Sequence, residues 1–157
     1  MTNKEIKISY IEYNSLEEMD AADRELAEAA IAMTGNSYSP YSHFSVGAAV
    51  RLDDGTIVKG SNQENAAYPS GLCAERTAMF WANANYPDKA MISIAVAAAQ
   101  NGQVCKEPAT PCAACRQVMV QYQRKGGVPM SVLIVGDGKI WKFHSVDDIL
   151  PLAFKNI

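Results

Sequence analysis

The sequence is organised around the stretch from Cys73 to Cys115, which opens with Cys73-Ala74-Glu75-Arg76 and closes with Pro111-Cys112-Ala113-Ala114-Cys115-Arg116-Gln117. Zinc binds thiolates readily and takes four ligands, so a site with three protein ligands leaves the fourth position to water. Cys112 and Cys115 are three residues apart, a spacing that puts both on one face of a helix. Together with Cys73 they are predicted to hold one catalytic Zn²⁺ ion per chain.

Glu75 lies two residues after the first of these cysteines. A carboxylate beside a metal-bound water can accept a proton from that water and deliver it to a leaving group. The sequence therefore predicts that Glu75 is the catalytic residue.

Two other interpretations of the cysteines remain open at this point. A Cys-x-x-Cys pair also occurs in redox dithiols and in structural zinc sites. A structural site would require a fourth cysteine or histidine at a matching spacing, and Cys105 stands alone. A redox dithiol would leave the Cys-Ala-Glu motif unexplained. The two motifs in combination favour catalytic zinc.

Length and composition indicate one domain spanning residues 1–157, with residues 1–14 as an N-terminal extension. The sequence has no apolar run of the roughly 18 residues that a membrane span needs, so no membrane partner is expected. Cysteines reserved for a metal suit a reducing compartment, which predicts a cytoplasmic protein. The net charge is −3 and the 14 lysines and arginines are scattered, whereas a nucleic-acid-binding surface would cluster them. No nucleic-acid partner is expected.

Hydrophobic periodicity predicts an α/β fold. Residues 5–13 alternate well enough for a short strand, which would be an edge strand or an arm onto another subunit; the alternative is a loosely attached terminus. A helix is then expected to begin with a capping box at Ser15 and Glu18. Strands are further expected over residues 44–52, 56–60, 90–98, 130–136 and 140–145, and helices over 73–85, 112–126 and 146–154. This order predicts a three-layer α/β/α sandwich with a five-stranded mixed sheet. The short turn at Asp137-Gly138 requires the last two strands to be antiparallel.

Further motifs follow one another in a fixed order along the chain. They are Tyr38-Ser39-Pro40-Tyr41-Ser42-His43-Phe44-Ser45-Val46-Gly47-Ala48-Ala49, Asn62-Gln63-Glu64-Asn65-Ala66-Ala67-Tyr68, Cys73-Ala74-Glu75-Arg76-Thr77-Ala78 and Leu150-Pro151-Leu152-Ala153-Phe154. In these motifs, and in the zinc motif, the chain from about residue 37 to 154 resembles the small homotetrameric zinc-dependent cytidine deaminases. The resemblance implies a cytidine deaminase-like fold. It also implies hydrolysis of cytidine and 2′-deoxycytidine to uridine and 2′-deoxyuridine, with release of ammonia, in pyrimidine salvage.

The resemblance also implies roles for individual residues. Glu75 would move protons between the attacking water, ring N3 and the departing amine. Asn62 and Glu64 would bind the ribose hydroxyls, and Phe44 would pack on the nucleoside. The full set of implied substrate-binding residues is Phe44, Asn62, Glu64, Ala66, Tyr68, Ala74 and Phe154.

The implied homotetramer shares its sites between subunits, because Ala66, Tyr68 and Phe154 are the family's contributions to a neighbouring site. The residues alone leave alternatives open. Asn62 and Glu64 also suit a solvated loop, and Phe44 and Phe154 also suit a hydrophobic core.

The negative charge of the metal site suggests a role for two arginines. Zinc with three thiolates carries a formal charge of −1, so it acidifies a bound water less than a histidine-rich site does. Arg76 and Arg116 each follow a ligand motif directly. One of them is predicted to hydrogen-bond a ligating sulfur and offset its charge; the alternative is that both are surface or interface arginines.

Two rival functions remain at the level of sequence. One is a deaminase for a cytosine-nucleoside antibiotic such as blasticidin S, which shares the zinc motif. The other is a non-catalytic protein stabilised by zinc. Glu75 argues against the second, because a structural site has no use for a carboxylate there.

Overall fold

The computed structural model describes residues 1–155. The helices are α1 (Ala21–Met33), α2 (Ala74–Asn85) and α3 (Ala113–Gly126). The strands are β1 (Ile11–Tyr13), β2 (Ser45–Leu52), β3 (Ile57–Ser61), β4 (Met91–Gln100), β5 (Gln103–Val104), β6 (Ser131–Gly136) and β7 (Lys139–Phe143).

In the described residues, the strands form one mixed sheet of seven strands in the order β1-β7-β6-β4-β2-β3, with β5 paired to the end of β4. The pairing of β4 with β6 is parallel, and β6 and β7 form the expected antiparallel hairpin. The five-stranded sheet expected from sequence was wrong in number. The two additional strands are β1, with three residues, and β5, with two.

Helices cover both faces of the sheet, because the central strands are apolar on both sides. On β4, Ile94 and Val96 belong to the hydrophobic cluster that includes residues of α2 and α3. Ala95 and Ala97 alternate with them and belong to the cluster that includes Leu26 of α1. The alternation of side chains along a strand thus accounts for a three-layer arrangement with α1 on one face and α2 and α3 on the other.

A glycine brings α2 close to the sheet. A Cβ atom on Gly60 of β3 would lie 2.6 Å from the main-chain nitrogen of Ala78 and 2.8 Å from the main-chain oxygen of Ala74. Only a residue without a side chain permits this approach. The contact fixes the first turns of α2 against β3, and those turns follow directly on Cys73.

The N-terminal helix begins later than the sequence suggested. Ser15 and Glu18 do not form a capping box; Glu18 Oε2 instead accepts a hydrogen bond from the main-chain N–H of Asn14, 2.8 Å away. Leu16–Glu18 forms one turn of 3₁₀ helix. Asp20 is the N-cap of α1, and its Oδ1 accepts from the N–H of Asp23 at 2.8 Å.

The C-terminal helix expected over residues 146–154 was also wrong. Val146–Asp148 forms a single 3₁₀ turn with a capping box between Ser145 and Asp148. The following main chain is held by side chains of α3 instead of by its own hydrogen-bond ladder. Arg116 donates to the carbonyl of Ile149 at 3.0 Å.

The N-terminal extension joins the sheet only at its end. Residues 1–10 are exposed and outside regular structure, and β1 adds to β7 as an antiparallel edge strand. The Tyr10 ring packs against Trp141 and Phe143, with centroid distances of 5.6 and 5.2 Å. Across residues 1–155, none of the helices has the length and apolar character that crossing a membrane requires.

Candidate metal centre and adjoining pocket

Three sulfurs meet where α2 and α3 begin. Cys73 is the N-cap of α2, Cys112 is the N-cap of α3, and Cys115 lies in the first turn of α3. Their Sγ atoms all lie within 4.8 Å of one another. The sequence predicted this set, and the structure brings it together. Both helix N-termini direct the positive end of their dipoles at the sulfurs, which favours the deprotonated thiol.

The chemistry of this donor set fits zinc. A hydrogen bond with Cys115, assisted by Arg76, lowers the pKa of Cys73, which favours the thiolate form that binds a metal. Soft thiolate ligands in a compact group suit Zn²⁺. Cys105 lies outside the group, directly after β5, where its main chain bonds to Ala98 and Asp137. The three-sulfur cluster is therefore a site for one zinc ion.

Glu75 lies in the first turn of α2, beside the sulfurs. It is only 4% exposed. Burial raises the pKa of its carboxyl, and the negative charge of Cys73 adds to the increase. A carboxyl group in such surroundings takes up a proton more readily than one in water.

The two arginines behave differently. Arg76 Nη2 donates to Cys73 Sγ at 3.4 Å, and its Nε is buried without a hydrogen-bond partner in the part of the chain that the structure describes. Arg116 bonds to main-chain carbonyls: its Nε donates to the carbonyl of Pro111 at 2.7 Å, and its Nη1 donates to that of Ile149 at 3.0 Å. The sulfur contact therefore lies at Arg76.

A pocket of about 510 Å³ opens beside the first ligand. Such a volume lies within the range of small-molecule sites. Its lining includes Cys73 and Arg76 at one side and the loop between β3 and α2 at the other. From the polar part of that lining come Tyr41, Ser42, Asn62, Glu64 and Tyr68.

Asn62 is almost fully engaged within the protein. Its Oδ1 accepts from the Ser37 hydroxyl at 2.6 Å and from the N–H of Val46 at 2.8 Å. Its Nδ2 donates to the carbonyl of Phe44 at 2.9 Å. An amide side chain has two donor hydrogens and two acceptor positions. One N–H of Asn62 therefore remains for a ligand.

The carboxylate of Glu64 also accepts most of its hydrogen bonds from within the protein. Its Oε2 accepts from the N–H groups of Tyr41 and Ser42 at 2.9 and 3.2 Å, and its Oε1 accepts from the Ser42 hydroxyl. The hydrogen bond from Ser42 is the main reason that the pKa of Glu64 is lowered. Because an ionised carboxylate offers about four acceptor positions, one position on Oε1 remains.

Among the other residues expected to bind substrate, Tyr68 is part of the pocket lining, whereas Phe44, Ala66 and Ala74 are not. Ala74 is fully buried between Cys73 and Glu75. Phe44 is half-buried at the start of β2, and its ring is not part of the pocket lining. Ala66 is exposed in the loop before α2. Tyr68 reaches the pocket but is 74% exposed, and its ring meets the edge of the Tyr41 ring.

Phe154 is 66% exposed, although its main chain is held firmly. Gln117 donates to the Phe154 carbonyl at 2.9 Å and accepts from its N–H at 3.1 Å. Sequence reasoning gave no role to Gln117 or to Ser42. Both lie inside motifs that were singled out, Gln117 directly after Arg116 and Ser42 two residues before Phe44, but only the fold shows what they contact.

Comparisons with known proteins agree with this geometry. The family described as the cytidine and deoxycytidylate deaminase zinc-binding region matches residues 20–131. A cytidine deaminase from Sporosarcina psychrophila is 45% identical over 119 residues, which cover 75% of this chain and 80% of that protein. A cytidine deaminase from Halalkalibacterium halodurans is 44% identical over 96 residues, covering 61% and 68%. The crystal structure of cytidine deaminase from Burkholderia pseudomallei superposes with a TM-score of 0.69 at 39% identity, covering 83% of this chain and 97% of that one.

Proposed function

This chain belongs to the cytidine and deoxycytidylate deaminase family, and on that basis we propose that it hydrolyses cytidine and 2′-deoxycytidine to uridine and 2′-deoxyuridine, releasing ammonia. The observation that carries the proposal is the three-sulfur cluster with the buried carboxylate of Glu75 beside it and a pocket opening next to Cys73. A structural zinc site has no use for a buried acid at that position.

The chemistry divides between the metal and the chain. Cys73, Cys112 and Cys115 would hold zinc, which would supply the Lewis acid for the water that attacks C4 of cytosine. Glu75 accepts the proton that the water loses. It delivers that proton to ring N3, then accepts the remaining proton of the hydroxyl added at C4 and delivers it to the amine, so that the C4–N bond breaks and ammonia leaves as the C4 carbonyl forms. The raised pKa of Glu75 supports this role, because a carboxyl that takes up a proton more readily than one in water is a better proton carrier.

Arg76 tunes the charge of the site in this proposal. Its hydrogen bond to Cys73 Sγ draws negative charge away from one ligand. Less charge then reaches the metal, which strengthens it as a Lewis acid. Arg116 has no such contact, and we assign it a structural role in holding Ile149.

The remaining hydrogen-bonding capacity of the pocket supports recognition of a sugar hydroxyl. Asn62 has one N–H left and Glu64 has one acceptor position left. A hydroxyl group accepts one hydrogen bond and donates another, so it satisfies both residues together. Cytidine and 2′-deoxycytidine share the 3′-hydroxyl, which we therefore assign to this pair.

The charge of the pocket favours nucleosides over nucleotides within this family. Glu64 carries a negative charge at the sugar end of the lining. Arg76 is the lining's cation, and it is engaged with Cys73. A phosphate would meet a carboxylate there without a free basic partner, a costly arrangement for an anion.

Two exposed aromatic side chains support a shared site. Tyr68 and Phe154 are large side chains left mostly exposed on the isolated chain. We assign them, with Ala66, to the site of a neighbouring subunit in a homotetramer, with Phe44 packing on the nucleoside. Reduced thiol ligands are consistent with a cytoplasmic location.

Loss of ultraviolet absorbance on deamination tests the proposal directly. The purified protein is assayed with cytidine, deoxycytidine, cytosine, CMP and blasticidin S, and zinc is quantified on the same sample. We expect turnover of the two nucleosides with about one zinc per chain. Turnover of blasticidin S alone, or no turnover by the zinc-loaded protein, would refute the assignment.

A further inference from the structure

Ser42 joins two parts of the pocket wall through a single hydroxyl. Its Oγ accepts a hydrogen bond from the N–H of Phe44 at 3.1 Å. The same hydroxyl contacts Glu64 Oε1. Because an ionised carboxylate has no hydrogen to give, the hydroxyl hydrogen must point from Ser42 to Oε1.

The main chain around Ser42 is held in the conformation that this contact requires. His43 adopts a φ of 54°, in the left-handed region that residues other than glycine rarely enter. Its N–H bonds to the Ser39 carbonyl at 3.0 Å. An uncommon backbone conformation persists when the surrounding contacts determine it. The turn at residues 41–44 is therefore built to present both the Ser42 hydroxyl and the Ser42 N–H to Glu64.

We propose that Ser42 is a positioning residue for sugar recognition: its hydroxyl occupies one acceptor position of Glu64 Oε1 and orients the other toward the nucleoside 3′-hydroxyl. The inference rests on the proposed function and extends it to a residue outside the assigned contacts. Without the Ser42 hydroxyl, the carboxylate keeps its two main-chain donors on Oε2. Oε1 then loses its fixed direction, and the substrate must order the group when it binds.

The experiment compares 2′-deoxycytidine with 2′,3′-dideoxycytidine, two substrates that differ only in the 3′-hydroxyl. For Ser42→Ala we expect KM for deoxycytidine to rise roughly three- to tenfold, the scale of one ordered hydrogen bond. KM for dideoxycytidine, kcat for both substrates and the zinc content should stay at the wild-type values. The variant should therefore discriminate less between the two substrates.

Two further variants sharpen the test. Ser42→Thr keeps a hydroxyl and should restore most of the discrimination. Ser70→Ala makes the same chemical change at an exposed serine of the 3₁₀ turn Tyr68–Ser70 and should leave both KM values unchanged. Circular dichroism and zinc content establish that each variant is folded.

The possible results distinguish a failure of the role of Ser42 from a failure of the proposed function. If Ser42→Ala discriminates as the wild type does, or loses the same factor on both substrates, Ser42 does not position the sugar contact. A wild type that deaminates both substrates with equal KM refutes the assignment of the 3′-hydroxyl to Glu64, and the role of Ser42 with it. A zinc-loaded wild type that deaminates neither refutes the proposed function as a whole.

Discussion

Arg76 Nη2 lies 3.4 Å from Cys73 Sγ, so a guanidinium reaches back along the first turn of α2 to the sulfur that caps the helix. The contact places a permanent positive charge on a site with three thiol ligands. Under the proposed function, this cation would offset charge that the ligands otherwise pass to the metal.

Replacing this charge should slow catalysis without removing the metal. For Arg76→Gln we expect kcat to fall by roughly ten- to a hundredfold, since a hydrogen bond to a charged group is worth about 1.5–3 kcal/mol, while zinc remains near one per chain. Initial rates and metal analysis on the same preparation measure both quantities. Arg124→Gln, at the exposed end of α3, is the control. An unchanged kcat in the Arg76 variant would remove the charge-tuning role.

Glu75→Gln should separate metal binding from proton transfer. The amide is nearly isosteric and fits the same buried position, but it cannot accept and release a proton near neutral pH. We expect kcat to fall by a factor of about 10² to 10⁴ with zinc retained. Glu28→Gln changes an exposed carboxylate on α1 and should have the wild-type rate. A Glu75 variant that keeps its rate would show that another group carries the proton.

The same substitution at two different cysteines tests which of them bind the metal. Cys112→Ser should lose most of its zinc and its activity, because a serine hydroxyl is a much weaker ligand than a thiolate. Cys105→Ser carries the same substitution outside the sulfur cluster and should keep about one zinc per chain. Zinc content after dialysis against a chelator measures the difference. Parallel loss of zinc in both variants would mean that the ligand set is misassigned.

The close approach at Gly60 makes a prediction about stability. In Gly60→Ala the new methyl group meets the main chain of α2 at 2.6 Å, which a flexible side chain cannot relieve. We expect a loss of about 1–3 kcal/mol in the free energy of unfolding. Gly35→Ala is the control, because a Cβ there meets nothing within 4 Å. Urea denaturation measures both; equal stability of the two variants would argue against the contact.

The metal ligands could be predicted from sequence because their chemistry is local. Cys73 and Cys112 each begin a helix that hydrophobic periodicity indicates, and thiolates at helix N-termini are a recognisable arrangement. The antiparallel hairpin of the last two strands was also predictable, since a two-residue turn at Asp137-Gly138 allows no crossover.

Other features depend on contacts between distant parts of the chain. A strand as short as β5 has no periodicity to detect, and β1 is defined by its pairing with β7. Arg76 lies three residues after Cys73 and Arg116 lies one residue after Cys115, but the sequence does not say that Arg116 donates to the carbonyl of Ile149. The engagement of Asn62 and Glu64 with the 37–46 segment is equally non-local.

The two hydrogen bonds between Gln117 and Phe154 determine which end of the chain is better suited to labelling or immobilisation. Phe154 is attached, through the paired amide contacts, to the same helix whose N-terminal end supplies two sulfurs. An affinity tag or dye at the carboxyl end therefore pulls on the metal-bearing helix, whereas one attached to the exposed residues 1–10 pulls only on a short edge strand. The amino terminus is therefore the better position for a tag or dye.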